Sequence, residues 1–333
     1  MVTRTVFTAT AAAGIALAAV VVGAGMMPAQ AAPTPAPSAT ATAPAASTAP
    51  AAPITPAAPG TPPVFTATQA RAYDTFDAHQ AVAVDDRYFY AIDNQSITKH
   101  DKKTGAPVLQ FVGDADGPII HMDSGVVVGD KLYAATSNYN TMPEKSSIEV
   151  FDTRTMKHVD TFSFGIYRGS ITWLDWHAGA WWATFANYDK PGSGTTLPYG
   201  QTDNTQLVKL DRDFQVVESW TIPQAILDDV RPMSISGGSW GPDGRLWLSG
   251  HDWDKAYVMT IPSEGSDLTW VATVTLPNVE GQGIAWDRST RQPTLWTIKR
   301  TTSQVLTFTA PVSSITDPTK AEWQVFGPGH FQQ

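Results

Sequence analysis

Gly125-Val126-Val127-Val128-Gly129-Asp130-Lys131-Leu132-Tyr133-Ala134-Ala135-Thr136 is the stretch that decides the fold. A short apolar run meets a two-residue Gly-Asp turn and resumes as a second run, which is the signature of a tight β-hairpin. Downstream, residues 137–146 are a polar loop, residues 148–152 a third strand, residues 153–156 a hairpin turn and residues 159–164 a fourth strand. One such four-stranded unit cannot bury both its faces alone, so it needs neighbours of the same kind. The opening of the pattern recurs in His79-Gln80-Ala81-Val82-Ala83-Val84, Gly169-Ser170-Ile171-Thr172-Trp173, Gly237-Gly238-Ser239-Trp240 and Gln282-Gly283-Ile284-Ala285-Trp286. Aligning Val84, Val128, Trp173, Trp240 and Trp286 gives steps of 44, 45, 67 and 46 residues. That period predicts an all-β chain: a single β-propeller of five four-stranded antiparallel blades. A degenerate sixth blade and an irregular β-sandwich are the rival architectures.

The pattern also sets what is not blade. Arg4, the apolar run 11–22 and the small residues before Ala32 read as an export leader over residues 1–31, with a retained membrane anchor as the rival. Residues 32–63 are nearly all Ala, Pro, Thr and Ser, and no charge falls between Arg4 and Arg71. Such a stretch buries too little apolar surface to offset its ordering entropy and reads as a disordered linker or stalk. Residues 64–333 form the propeller, whose last blade takes its outer strand either from residues 322–326 or from residues 71–76. Trp173, Trp240 and Trp286 are expected in the core, and residues 224–230 after Pro223 are the one helix predicted. With no cysteine, disulfide and thiolate chemistry are excluded. A net charge of −9 without a basic stripe argues against nucleic acid and anionic membrane as partners. An exported monomer with no membrane span after processing is expected.

Propeller topology gathers two loop sets on one face: those leading into inner strands and those joining second to third strands. Here they hold His79, His121, Asp123, Arg168, Glu280 and Gln282 in the first set. The second set holds Asp93, Asn94, Asn138, Tyr139, Asn187, Tyr188, Asp189, His251, Asp252, Lys299 and Arg300. The opposite face receives Asp85-Asp86, Gly129-Asp130 and Pro242-Asp243-Gly244, which is ordinary turn chemistry. Catalytic roles are expected for His121, His251, Arg168 and Glu280, with acid–base work on the imidazoles and anion binding on the arginines. Substrate contacts are expected from Asp123, Asn138, Tyr139, Asn187, Tyr188, Asp252, Gln282, Lys299 and Arg300. His79, His121 and His251 could together hold one divalent metal ion, and no nucleotide or thiol cofactor is expected. The long insert at residues 190–204, with Tyr199, leaves on this face and could act as a lid.

The segments His121-Met122-Asp123-Ser124-Gly125-Val126, Ser236-Gly237-Gly238-Ser239-Trp240-Gly241-Pro242-Asp243-Gly244 and Glu280-Gly281-Gln282-Gly283-Ile284-Ala285-Trp286-Asp287 resemble blade starts of exported bacterial propellers of the gluconolactonase-like and cycloisomerase-type group. The resemblance implies a metal at the axis held by Glu, Asn and Asp, for which Glu280, Asn138 and Asp252 are the matching residue types. The histidine-rich funnel departs from that pattern and is nearer to propeller lyases. The expected function is an exported lyase-, lactonase- or hydrolase-like enzyme for a small polar metabolite or carbohydrate. The alternative is a non-catalytic propeller that binds a glycan or protein from a surface stalk.

Overall fold

The computed structural model describes residues 62–139, 141–189 and 200–315. The leader, nearly all of the linker, residues 190–199 of the insert and the segment 322–326 lie outside the described residues. Alternating apolar runs and turn pairs build five antiparallel blades in chain order. Blade one is Ala81–Val84, Tyr88–Ile92, Ser96–Asp101 and Pro107–Val112. Blade two is His121–Val128, Lys131–Ser137, Ser146–Asp152 and Lys157–Gly165. Blade three is Ser170–His177, Ala180–Ala186, Gln206–Leu210 and Val216–Thr221. Blade four is Ile235–Trp240, Leu246–Gly250, Lys255–Thr260 and Thr269–Thr275. Blade five supplies Ala285–Asp287, Thr294–Lys299 and Gln304–Thr309 from its own sequence.

The fourth strand of blade five is Thr68–Asp74, which runs antiparallel to Gln304–Thr309 and joins the two chain ends. Just before it, Val64–Thr66 adds a parallel fifth strand to the outer edge of blade four. One short N-terminal segment therefore laces two blades and removes an open sheet edge. The helix Gln224–Val230 stands between blades three and four, starting after Pro223 as the sequence indicates.

The inner strands touch one another in sequence around the axis, and the fifth returns to the first. Close approach there needs small residues. A Cβ on Gly238 would lie 2.3 Å from the Trp173 indole, so this glycine lets blade three's tryptophan lie flat against blade four. Trp173, Trp240 and Trp286 are all buried, as expected for packing between blades.

The turn face is more than turn chemistry. Asp175 from blade three accepts Arg288 Nη2 at 2.8 Å and the Trp176 amide on one oxygen. Its other oxygen accepts Ser239 Oγ at 3.1 Å and the Trp240 amide at 2.8 Å, and the Trp286 amide donates in turn to Ser239 Oγ. Three blades are thus clasped by one buried carboxylate with both oxygens satisfied, beside a cavity of about 620 Å³ lined by all five inner strands. Removing one partner of a buried pair is costly, because the other charge stays behind in low dielectric. Asp175→Ala is expected to lower unfolding free energy by about 3–5 kcal/mol, read from urea unfolding curves. A loss under about 1 kcal/mol would show the clasp to be dispensable.

Candidate functional site

The inner strand of blade two begins four residues earlier than its apolar run suggests, so His121 and Asp123 are strand residues rather than loop residues. The reason is a bulge. Pairing slips by one residue between Met122 and Ser124, and the same slip recurs between Ile171 and Trp173 and between Ile235 and Gly237. Asp123, Thr172 and Ser236 are the extra residues, and a bulge re-aims the side chain it inserts. Thr172 donates to the Ile235 carbonyl and stitches blades three and four together. Asp123, the one charged member, instead meets His121 Nε2 at 3.0 Å and accepts Ser137 Oγ at 3.0 Å.

A buried polar group has collected around this pair. The Tyr139 ring lies 5.5 Å from the His121 ring, and Tyr188 packs behind Tyr139 at 5.0 Å. Glu144, from the loop between the second and third strands of blade two, is buried beside them. Burial, with the Asp123 charge adding to it, pushes the Glu144 carboxyl up to about 7, and contact with Ser170 only partly offsets this. Glu144 is a site residue that sequence reasoning missed: Pro143-Glu144-Lys145-Ser146 has the composition of a solvated turn. For His121, burial opposes charge, yet the Asp123 ion pair and hydrogen bond, helped by Asp93 and opposed by Arg300, carry its pKa above the usual imidazole value.

The funnel itself is a cavity of about 550 Å³ built from blades one, four and five. It brings together His79, Asp93, Asn94, Asp252, Glu280 and Arg300, all anticipated on this face, and adds Gln80 and Thr301; His121 and His251 border it without being among its lining residues. Gly281 makes this possible. It has φ +73°, and a Cβ there would sit 1.9 Å from the His251 carbonyl oxygen, so only glycine can bring Glu280 alongside the His251–Asp252 corner. Glu280 accepts the Thr301 amide at 2.7 Å and Thr301 Oγ1 at 2.6 Å. His251 Nδ1 lies 2.5 Å from Asp252 Oδ1. There burial dominates, and despite Asp252 the His251 pKa falls below the ordinary imidazole value, with Arg300 pushing the same way. Two histidine–aspartate pairs from blades two and four thus feel the same guanidinium and are polarised in opposite directions.

The other anticipated contacts are placed differently. Asn138 donates to the Pro143 carbonyl and accepts the Lys145 amide, so both ends of its amide brace its own loop. Asn187 is buried and donates to the carbonyls of Arg168 and Asn204. Gln282 is buried and anchors blade five to blade four through its backbone. Arg168 is exposed, 5.9 Å above the Phe185 ring, and is not among the funnel's lining groups. Lys299 borders an adjoining depression with Trp253 and Asp254, which shares Asp252 and Glu280 with the funnel. Among the described residues no three His, Asp or Glu side chains stand as a metal-holding group. The suggested three-imidazole centre is not preformed, because His79, His121 and His251 each turn a ring nitrogen to a separate carboxylate: Asp93, Asp123 and Asp252. The donor set as folded does not fit an ion.

No family model matches the sequence, and no curated protein matches it. Among the described residues no helix is long and apolar enough to cross a membrane. The chain is similar to several solved structures at low identity. The PQQ-bound aldose sugar dehydrogenase of Streptomyces coelicolor is 13% identical, with a TM-score of 0.44 over 71% of this chain and 79% of that one. Hydrazine synthase of Kuenenia stuttgartiensis is 14% identical, with a TM-score of 0.37 over 66% and 64%. The U3-55K protein is 11% identical, with a TM-score of 0.40 over 72% and 98%.

Proposed function

We propose that this propeller is an exported enzyme performing acid–base chemistry on a small polar metabolite or carbohydrate at the funnel, of the lyase, lactonase or hydrolase kind. The observation that carries this reading is the pairing of His121 with Asp123 and of His251 with Asp252 around one arginine, Arg300. Environments that push two titratable groups apart divide them into acid and base. His251, whose pKa is lowered, takes the part of the base, and His121, whose pKa is raised, that of the acid. In lactone opening, His251 takes a proton from the water that attacks the carbonyl carbon. The carbonyl oxygen's growing charge is met by Arg300, and His121 gives its proton to the ring oxygen as the C–O bond breaks. In an elimination the same base removes a C–H proton and the same acid protonates the departing oxygen. Burial and the neighbouring Asp123 raise the Glu144 carboxyl to about 7, so near neutral pH it is only partly ionised beside the pair.

A specific observation favours a second reading, binding without turnover. Phe76 and Tyr167 are 85% and 78% exposed, and with Trp253 they stand on loops of the funnel face. Exposed rings of this kind suit stacking on a sugar or on a partner protein.

Turnover separates the readings. In a screen of lactones, uronates and oligosaccharides, wild-type protein is expected to convert at least one class. His121→Ala is expected to lose at least about 100-fold in kcat/KM. Equal turnover by the variant would remove His121 from the reaction. Ligand-induced stabilisation that Tyr167→Ala abolishes, with no turnover of any compound, would favour the binding reading instead. The pH profile of kcat/KM should rise as His251 deprotonates below about pH 6.5 and fall as His121 deprotonates above it. His251→Gln should flatten the rising limb.

Glu144 gives an independent check on the site's electrostatics. Its folded value of about 7 lies above the ordinary 4.5, so between these the unfolded chain binds fewer protons than the folded one. Its contribution is therefore complete below about pH 4.5 and is lost as pH rises through about 7, amounting to roughly 3 kcal/mol. Glu144→Gln, which cannot ionise, should match wild type near pH 5 and exceed it at pH 8 in urea unfolding. A variant less stable than wild type at pH 8 would contradict the assigned shift.

A further inference from the structure

The groups that line the funnel are unequal in charge and in hydrogen-bonding sense. Asp93, Asp252 and Glu280 face the same space as a single guanidinium, Arg300. Glu280 is held ionised: burial works against its charge, but the Thr301 hydrogen bonds and the nearby Lys299 and Arg300 outweigh it and lower its pKa. Asp93 binds His79 through one oxygen and the Asn94 amide through the other, and Asp252 meets His251, so each carboxylate is fixed in place with lone pairs to spare.

A second, independent feature lies deeper on the same wall. Gln80 is only 6% exposed and lines the cavity. Its Nε2 donates to Asn94 Oδ1 at 2.9 Å, while its Oε1 has no hydrogen-bond partner. A buried amide oxygen left open is costly, and a donor from a bound molecule removes that cost. The carboxylates and Gln80 Oε1 all accept, and the pairing of Gln80 with Asn94 has already taken one donor of this wall.

From the excess of acceptors and of negative charge, we infer that the funnel's ligand is a hydroxyl-rich sugar without a carboxylate, either uncharged or bearing an amino group. This rests on the catalytic reading of the same funnel and narrows its substrate class. Sugar hydroxyls and an ammonium supply the donors that Gln80 Oε1 and the carboxylates require. A uronate would bring one more negative charge against three and no donor in its place. A cavity of about 550 Å³ is within the usual range for small-molecule sites. Arg300, countered by Glu280, is suited to a developing oxyanion rather than to a resident carboxylate.

Titration calorimetry of the folded protein with methyl glucoside, glucosamine and glucuronate at pH 7 tests this. Methyl glucoside and glucosamine are expected to bind at least about tenfold more tightly than glucuronate. Glu280→Gln should narrow the gap between glucosamine and glucuronate, while Gln80→Glu should widen it. Gln80→Leu should weaken methyl glucoside about tenfold or more without changing that ordering. Glucuronate binding as tightly as methyl glucoside would overturn the inference. If uronates are also converted by wild type and not by His121→Ala, the catalytic reading survives that failure. Absence of both binding and turnover for all three sugars would overturn both.

Discussion

The closure of the ring by Thr68–Asp74 is the constraint on which the site depends. A propeller blade holds its inner strand at a fixed angle only if every neighbour is present, and a ring with a gap has two free edges. Here the strand that fills the gap comes from the other end of the sequence. The residue pairs that it makes, from Thr68 with Thr309 to Asp74 with Gln304, complete blade five with a strand whose chain runs on into blade one. His79 follows that strand by five residues and donates or accepts at Ser303 Oγ, 3.1 Å away on blade five. The same junction therefore closes the fold and forms one wall of the funnel.

The two ends of the axis carry charge for different purposes. At the turn end, Asp175 and Arg288 are deeply buried, and both oxygens of Asp175 are occupied by groups of three blades. A pair saturated in this way holds geometry and offers a visitor little. At the loop end, Asp93, Asp252 and Glu280 line the funnel with lone pairs to spare, while the His121–Asp123 pair lies buried beside it. The cavity of about 620 Å³ is thus at the structural end, and the funnel of about 550 Å³ is the one lined by ionisable groups with open lone pairs. Volume alone does not locate a site; unsatisfied hydrogen-bonding capacity beside polarised groups does.

Much of this was legible in the sequence, and the parts that were not have physical reasons. Turn chemistry repeating near 45 residues gave the blades, because each blade repeats the same local problem of strand, turn and strand. The face of His79, Asp93, Asp252, Glu280 and Arg300 followed from loop order. The strand status of His121 and Asp123 did not, since a bulge is one extra residue in a ladder and leaves no mark on apolar alternation. Glu144 was hidden because the groups that act on it, Asp123, Ser170 and Tyr188, come from other parts of the chain. Asp175 and Arg288 are 113 residues apart, and nothing local announces their meeting. Asn138 and Asn187 were read as ligand contacts, but an amide in a loop competes for backbone groups first, and here the backbone won.

The opposite polarisation of His121 and His251 follows from where their carboxylates sit. Each imidazole has an aspartate in contact, and Arg300 opposes the charging of both. The Asp123 side chain is 9% exposed, so its charge acts on His121 through protein; the Asp252 side chain is 61% exposed, and water screens most of its pull on His251. The charge of Asp93 also raises the His121 pKa. With the same partner type in contact, burial of the carboxylate decides which histidine holds a proton. A ligand that covers Asp252 would strip away that screening and raise the proton affinity of His251 as it binds.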